Sequence, residues 1–225
     1  MSDDRFDIYA PVHKGLRLGS ARLLERLGRT DWSDPAARGA VLADFRRHLA
    51  VCQEHLQHED GELHAALRER APEIAAGLDH EHEDHEVAFA RLEALIHDVE
   101  TAPEERRARA GHALYLAFSI HFAEDMLHMA HEEQEAMPLL QAHFTDEALM
   151  EMDQRIVQTI PPDRMADYLR LMIPAATPQG RAALLRVIKA GAPPEVFHGI
   201  LEDIARPALA PAEWRSLHRD LALAA

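Results

Sequence analysis

One pattern of side chains occurs twice in this chain and limits what it can fold into. His48, His55, His58 and Glu59 follow the spacing His-x6-His-x2-His-Glu, and His121, His128, His131 and Glu132 repeat it. Phe45 and Phe118 stand at matching places, each ahead of the middle histidine. On a helix, residues four apart lie about 40° round the axis and about 6 Å along it. His55 with Glu59, and His128 with Glu132, therefore point at one place. An imidazole beside a carboxylate is a natural pair of ligands for a divalent metal. Two such pairs on facing helices give four ligands inside a helical bundle. Each carboxylate has two oxygens, so either Glu can also bridge two ions.

The rest of the chain supplies the helices this needs. Tyr9 to Leu27 reads as a first helix, with Leu16, Leu23 and Leu27 on one face. Gly28 and the segment 30–35 end it, and Ser33 is expected to cap the next, with Pro35 in its first turn. The second helix is expected from about Ala36 to Arg70, ended by Ala71-Pro72, and the third from about Leu78 to Val99. Thr101-Ala-Pro103-Glu104 is expected to cap a fourth helix that continues to about His143. Long helices with short connections predict an all-α, up-down four-helix bundle over residues 1–144. Hydrophobic residues at 47%, aromatics at 5% and few glycines agree with helix over strand. Beyond Phe144, proline breaks at Pro161-Pro162, Thr177-Pro178, Pro193-Pro194 and Ala210-Pro211 predict a C-terminal extension, 145–225, of four or five short helices.

The first and third helices add ligand candidates. His13 lies on the Leu16–Leu23 stripe, and His85 precedes Phe89, Leu92 and Leu95 at helical spacing. His82, three residues earlier, shares nearly the same face; Glu81 is a rival ligand and His80 is turned away. Either of His82 and His85, or both, fits the pattern. His48 and His121 sit about 10 Å along their helices from His55 and His128. They are read as partly buried polar groups, with an outer contact to the ligands, a proton relay or a second metal site as the alternatives. His58 and His131 fall on the solvent edge. Tyr9, one turn before His13, is either packed in the core or a hydrogen-bond donor to the centre. Cys52, Trp32 and Trp214 read as packing residues.

Several classes of function are excluded. The net charge of −15 opposes nucleic acid and anionic membranes alike. Cys52 is the only cysteine, which rules out an intrachain disulfide and thiolate-rich metal sites. No apolar run approaches the roughly 18 residues of a membrane span, and the acidic start of the chain does not resemble a signal peptide. The expectation is a soluble cytoplasmic protein.

The pattern His13, His55-x3-Glu59, His85, His128-x3-Glu132, with Met137-Pro138 after it, resembles the hemerythrin-like, or HHE cation-binding, family. It is most similar to members with an H–HxxxE–H–HxxxE ligand pattern, and the resemblance covers roughly residues 5–143. It implies an oxygen-bridged centre of two iron ions, with manganese or zinc as alternatives. The implied metal residues are His13, His55, Glu59, His82, His85, His128 and Glu132, with Tyr9, His48 and His121 around them. It implies a protein that binds or reacts with peroxide, NO or O2, possible peroxidase- or catalase-like turnover included. A sensor with a protein partner on residues 145–225, or a zinc-stapled structural bundle, are the alternatives. The sequence departs from the oxygen carriers on the third helix, where they have two histidines four apart and this chain has Glu81 and His85.

Overall fold

The computed structural model describes residues 5–221, and every regular element in them is helical. The chain divides into two compact units, one of Met1–Ala10 with Gly19–Thr159 and one of Pro11–Leu18 with Ile160–Ala225. No helix among the described residues is long and apolar enough to cross a membrane.

The first unit is built on long helices: the Gly19–Arg29 part of α1 (Ala10–Arg29), with α2 (Pro35–His58), α4 (Pro72–Thr101) and α5 (Glu104–His131). Short α3 (His64–Arg70) and α6 (Met137–His143) continue α2 and α5. Between α2 and α3 the chain makes a π-helical turn, Glu59–Leu63, and between α5 and α6 another, Glu132–Ala136. These turns begin at the two repeat glutamates. In the first the N–H of His64 bonds the carbonyl of Glu59, and in the second that of Met137 bonds Glu132. Such turns are rare and concentrate at functional sites.

Local chemistry explains the helix ends. The cap of α2 is Asp34, not Ser33: its side chain accepts from the Ala36 N–H, because Pro35 occupies the first helical position and leaves residue 34 as the cap. α4 begins at Pro72, six residues before the expected start, since proline at a first helical position gives up only an N–H that would be unbonded anyway. Only Ala71 separates α3 from α4. Thr101 ends α4, its hydroxyl donating to the His97 carbonyl, and Pro103 rather than Thr101 precedes α5.

The sequence repeat is also a spatial one. Phe45 and Phe118 meet edge to face with ring centres 4.8 Å apart. Leu67 and Leu140, at matching places beyond the π turns, are both wholly buried. They join Tyr9, Leu63, Leu78, Met137 and neighbours in an apolar cluster on the α3 and α6 side of the glutamates. Gly111 of α5 lies against Trp32, with the site of a Cβ only 2.2 Å from the indole.

The second unit holds α8 (Pro162–Ala175), α9 (Pro178–Gly191), α10 (Pro194–Gly199), a π turn, α11 (Arg206–Ala208) and α12 (Pro211–Asp220). α7 itself (Asp146–Thr159) belongs with the first unit. Pro162, Pro178, Pro194 and Pro211 each open a helix, so the prolines that punctuate the sequence set the helix starts. The core of this unit is Leu169, Ile173, Leu185, Phe197, Leu201 and their neighbours. Arg181, 3% exposed, ties it together by donating to the Ile173 and Ala176 carbonyls and to Glu213.

Candidate metal centre

The two halves of the repeat bring their chemistry together inside the first unit. Glu59, His82, His128 and Glu132 each offer a ligand atom, and these atoms lie within 4.8 Å of one another. All four residues are buried, Glu59 to 1% exposure and Glu132 to 0%. Burying a carboxylate is costly unless a cation or hydrogen bonds compensate. Burial and then the neighbouring Glu59 push the Glu132 carboxyl well above its usual range. A cation placed between the two glutamates would reverse that pressure.

The imidazoles are oriented for the same purpose. His82 Nδ1 lies 2.8 Å from Asp60 Oδ1, and His128 Nδ1 lies 2.7 Å from Glu81 Oε2. The His128 contact, ahead of the opposing effect of burial, holds the Glu81 carboxyl below its ordinary value. Burial works to raise Asp60, but His64 and His82 outweigh it and hold that carboxyl low as well. Ionised carboxylates only accept, so each Nδ1 carries the hydrogen and each Nε2 of a neutral ring carries a lone pair. The two Nε2 atoms are 3.0 Å apart. Facing lone pairs at that distance require a shared cation, either a proton on one ring or a metal ion. Carboxylate behind imidazole is the usual support of a metal-binding histidine.

The other predicted residues are buried as well. His55 Nε2 is 3.0 Å from Glu59 Oε1, so the i, i+4 pair read from the sequence is formed. His85 is buried but stands outside the four-residue group; its ring centre is 4.8 Å from that of His128. Burial, then the neighbouring histidines, push His85 down to about 3, and its Nδ1 makes no hydrogen bond among the described residues. His13 is wholly buried on α1, in the stretch Pro11–Leu18 that groups with the second unit. Tyr9 is buried, and burial followed by Glu132 and Glu59 keeps its phenol protonated far above the ordinary range.

His48 and His121 form a second polar layer. Ser20 Oγ and His48 Nε2 are 2.7 Å apart, and the rings of His85 and His121 meet at 5.4 Å. Burial lowers both His48 and His121 to about 4, so these rings stay neutral at ordinary pH. Neither belongs to a group of three or more close ligand atoms among the described residues. His58 and His131 are half-buried, and His131 Nδ1 lies 3.0 Å from Glu81. His80 is exposed.

Sequence reasoning missed Asp60 and His64, and read Glu81 only as a rival ligand. Asp60 and Glu81 matter as supports behind histidines of other helices, a relation that spacing within one helix does not contain. His64 is wholly buried beside the cluster. On a regular helix it would point about 140° away from Glu59. The π turn, with its i to i+5 bond, brings it back to that face. The only sequence signal was a histidine five residues after the first glutamate.

The fold and site define a class: an all-helical chain with a buried histidine–carboxylate cluster able to hold a metal ion. No family model, no curated protein and no solved structure matches this chain.

Proposed function

We propose that the first unit is a hemerythrin-like four-helix bundle, formed by α2–α3, α4, α5–α6 and the part of α1 from Gly19 onward, that holds two iron ions and binds or reacts with a small oxidant such as peroxide, NO or O2. The observation that carries this reading is the meeting of Glu59 and Glu132, both buried, with the Nε2 atoms of His82 and His128 at 3.0 Å. The donor set is nitrogen and carboxylate oxygen with no sulfur, which suits iron or manganese and admits zinc.

The residues of the chain have distinct tasks in this reading. Glu59, Glu132, His82 and His128 hold the metal, with His55 beside Glu59 and with His13 and His85 as the further ligands the resemblance implies. Asp60 and Glu81 fix the tautomers of His82 and His128, so that Nε2 is free to bind. The apolar cluster of Leu63, Leu67, Leu78, Met137 and Leu140 excludes water from one side. Tyr9 holds its proton and is a donor within the field of both glutamates. A redox-active metal with an open position would supply the binding of a small oxidant and the electrons to change it.

Elemental analysis of the purified protein, with its spectrum before and after peroxide or NO, tests this. The expected result is about two irons per chain and a near-ultraviolet band that responds to the added ligand. Zinc alone, bound without any such response, would leave a structural bundle; no metal after anaerobic Fe(II) loading would sink the reading.

A further inference from the structure

Beside the four-residue group lies another: Asp60, His64 and His82 also bring ligand atoms within 4.8 Å of one another. His64 is wholly buried. Its Nδ1 is 3.2 Å from Asp60 Oδ1 and 3.4 Å from Asp79 Oδ1, and its Nε2 is 3.5 Å from Glu132 Oε1. Neither nitrogen makes a hydrogen bond of proper geometry with any of them. A buried polar atom without a well-formed hydrogen bond is destabilising. Two on one ring, both aimed at carboxylates, mark a side chain placed for something other than packing.

His82 completes the group. Its ring lies 4.6 Å from that of His64, tilted by 32°, and its Nδ1 faces the same Asp60 oxygen. The repeat places Met137, an apolar core residue, where the first half has His64. The imidazole is therefore a departure from the shared pattern, not part of it. Asp60 is 42% exposed, which gives the group a route to solvent that Glu59 and Glu132 lack.

We propose that Asp60, His64 and His82 form an additional subsite for a divalent transition-metal ion, adjacent to and separable from the Glu59–His82–His128–Glu132 group. Two imidazoles and a carboxylate are a borderline set that takes Zn(II), Fe(II) or Mn(II). His82 serves both groups, Nδ1 here and Nε2 in the other, and its Nδ1 proton leaves to solvent when the ion binds. The subsite rests on the preceding reading only through that shared histidine.

Titration of the metal-stripped full chain with Zn(II), with bound ions counted after desalting, tests it. Wild type should hold one ion more than His64→Ala, and Asp60→Asn should weaken that ion at least tenfold. His128→Ala should lose ions from the first group while keeping the one that depends on His64. Asp60 is half-exposed, so Asp60→Asn spares the core if His64→Ala disturbs it; because Asp60 also backs His82 of the first group, this variant is read in the His128→Ala background, where the ion that depends on His64 is the one counted. Equal stoichiometry and affinity in wild type, His64→Ala and Asp60→Asn would overturn the subsite and leave the main centre standing. A wild-type chain that takes up no ion would overturn both. Ions lost in His64→Ala but kept in His128→Ala would support the subsite even if the main reading fails.

Discussion

Glu81 shows how much of the centre depends on a residue that is not itself in the ligand group. It stands on α4, half-exposed, and accepts from Nδ1 of both His128 and His131 on α5. By accepting a hydrogen bond from the His128 Nδ1–H it leaves the lone pair on Nε2. Glu81→Ala should lower metal affinity about 10- to 100-fold with the fold intact, and Glu81→Gln, which keeps one acceptor oxygen, should fall between. Competition against a chelator measures this, and unchanged affinity in Glu81→Ala would show that the tautomer is fixed by other means. The i, i+4 pairs His55–Glu59 and His128–Glu132 were legible in the sequence because both partners sit on one helix, whose geometry is known in advance. The choice between His82 and His85 was not legible. They differ by three residues on one seam, and only the approach of α5 decides which ring meets Glu132.

At the scale of elements, glycine gives a clear contrast. Gly111 on α5 lets the indole of Trp32 lie on the helix backbone, and a Cβ there would sit 2.2 Å from rigid ring atoms. Gly77 lies inside α4, and nothing is within 4 Å of its Cβ position. Gly111→Ala should therefore destabilise by about 1–3 kcal/mol through overpacking. Gly77→Ala should stabilise by about 0.5–1 kcal/mol by reducing the freedom of the unfolded chain. Urea unfolding of the two variants checks both signs, and a Gly111→Ala protein as stable as wild type would mean that Trp32 can move aside. The π turns belong to this scale too. Periodicity assumes a constant turn, so one extra residue per turn at Glu59 and Glu132 cannot be read from hydrophobic spacing. Helical spacing therefore places His55 at the site but not His64.

For the whole molecule, the consequence of the site is a linkage between metal and stability. Buried carboxylates and facing lone pairs are tolerable together with a cation and unfavourable without one. A metal that binds the native and not the unfolded chain, at a free concentration a thousandfold above its Kd, adds about 4 kcal/mol. For a chain of this size that is a rise in Tm of roughly 10 °C. Calorimetry with Fe(II) or Zn(II), and again after chelation, should show that rise and its reversal. A Tm indifferent to metal would place the stability of the first unit wholly in its apolar packing. The net charge of −15 adds to the effect, since each bound cation also relieves self-repulsion.

By itself the sequence determined that this chain is helical, where most of its helices run, that its histidines pair with glutamates at helical spacing, and that the pattern occurs twice. Those are local properties, carried by residues within a turn of one another. Only the tertiary structure decided that Phe45 meets Phe118, that Asp60 and Glu81 stand behind histidines of other helices, and that His64 turns inward through a π turn. Each depends on how far one helix is rotated and shifted against the next. Packing between residues distant in the chain sets that, and no spacing within a single helix records it.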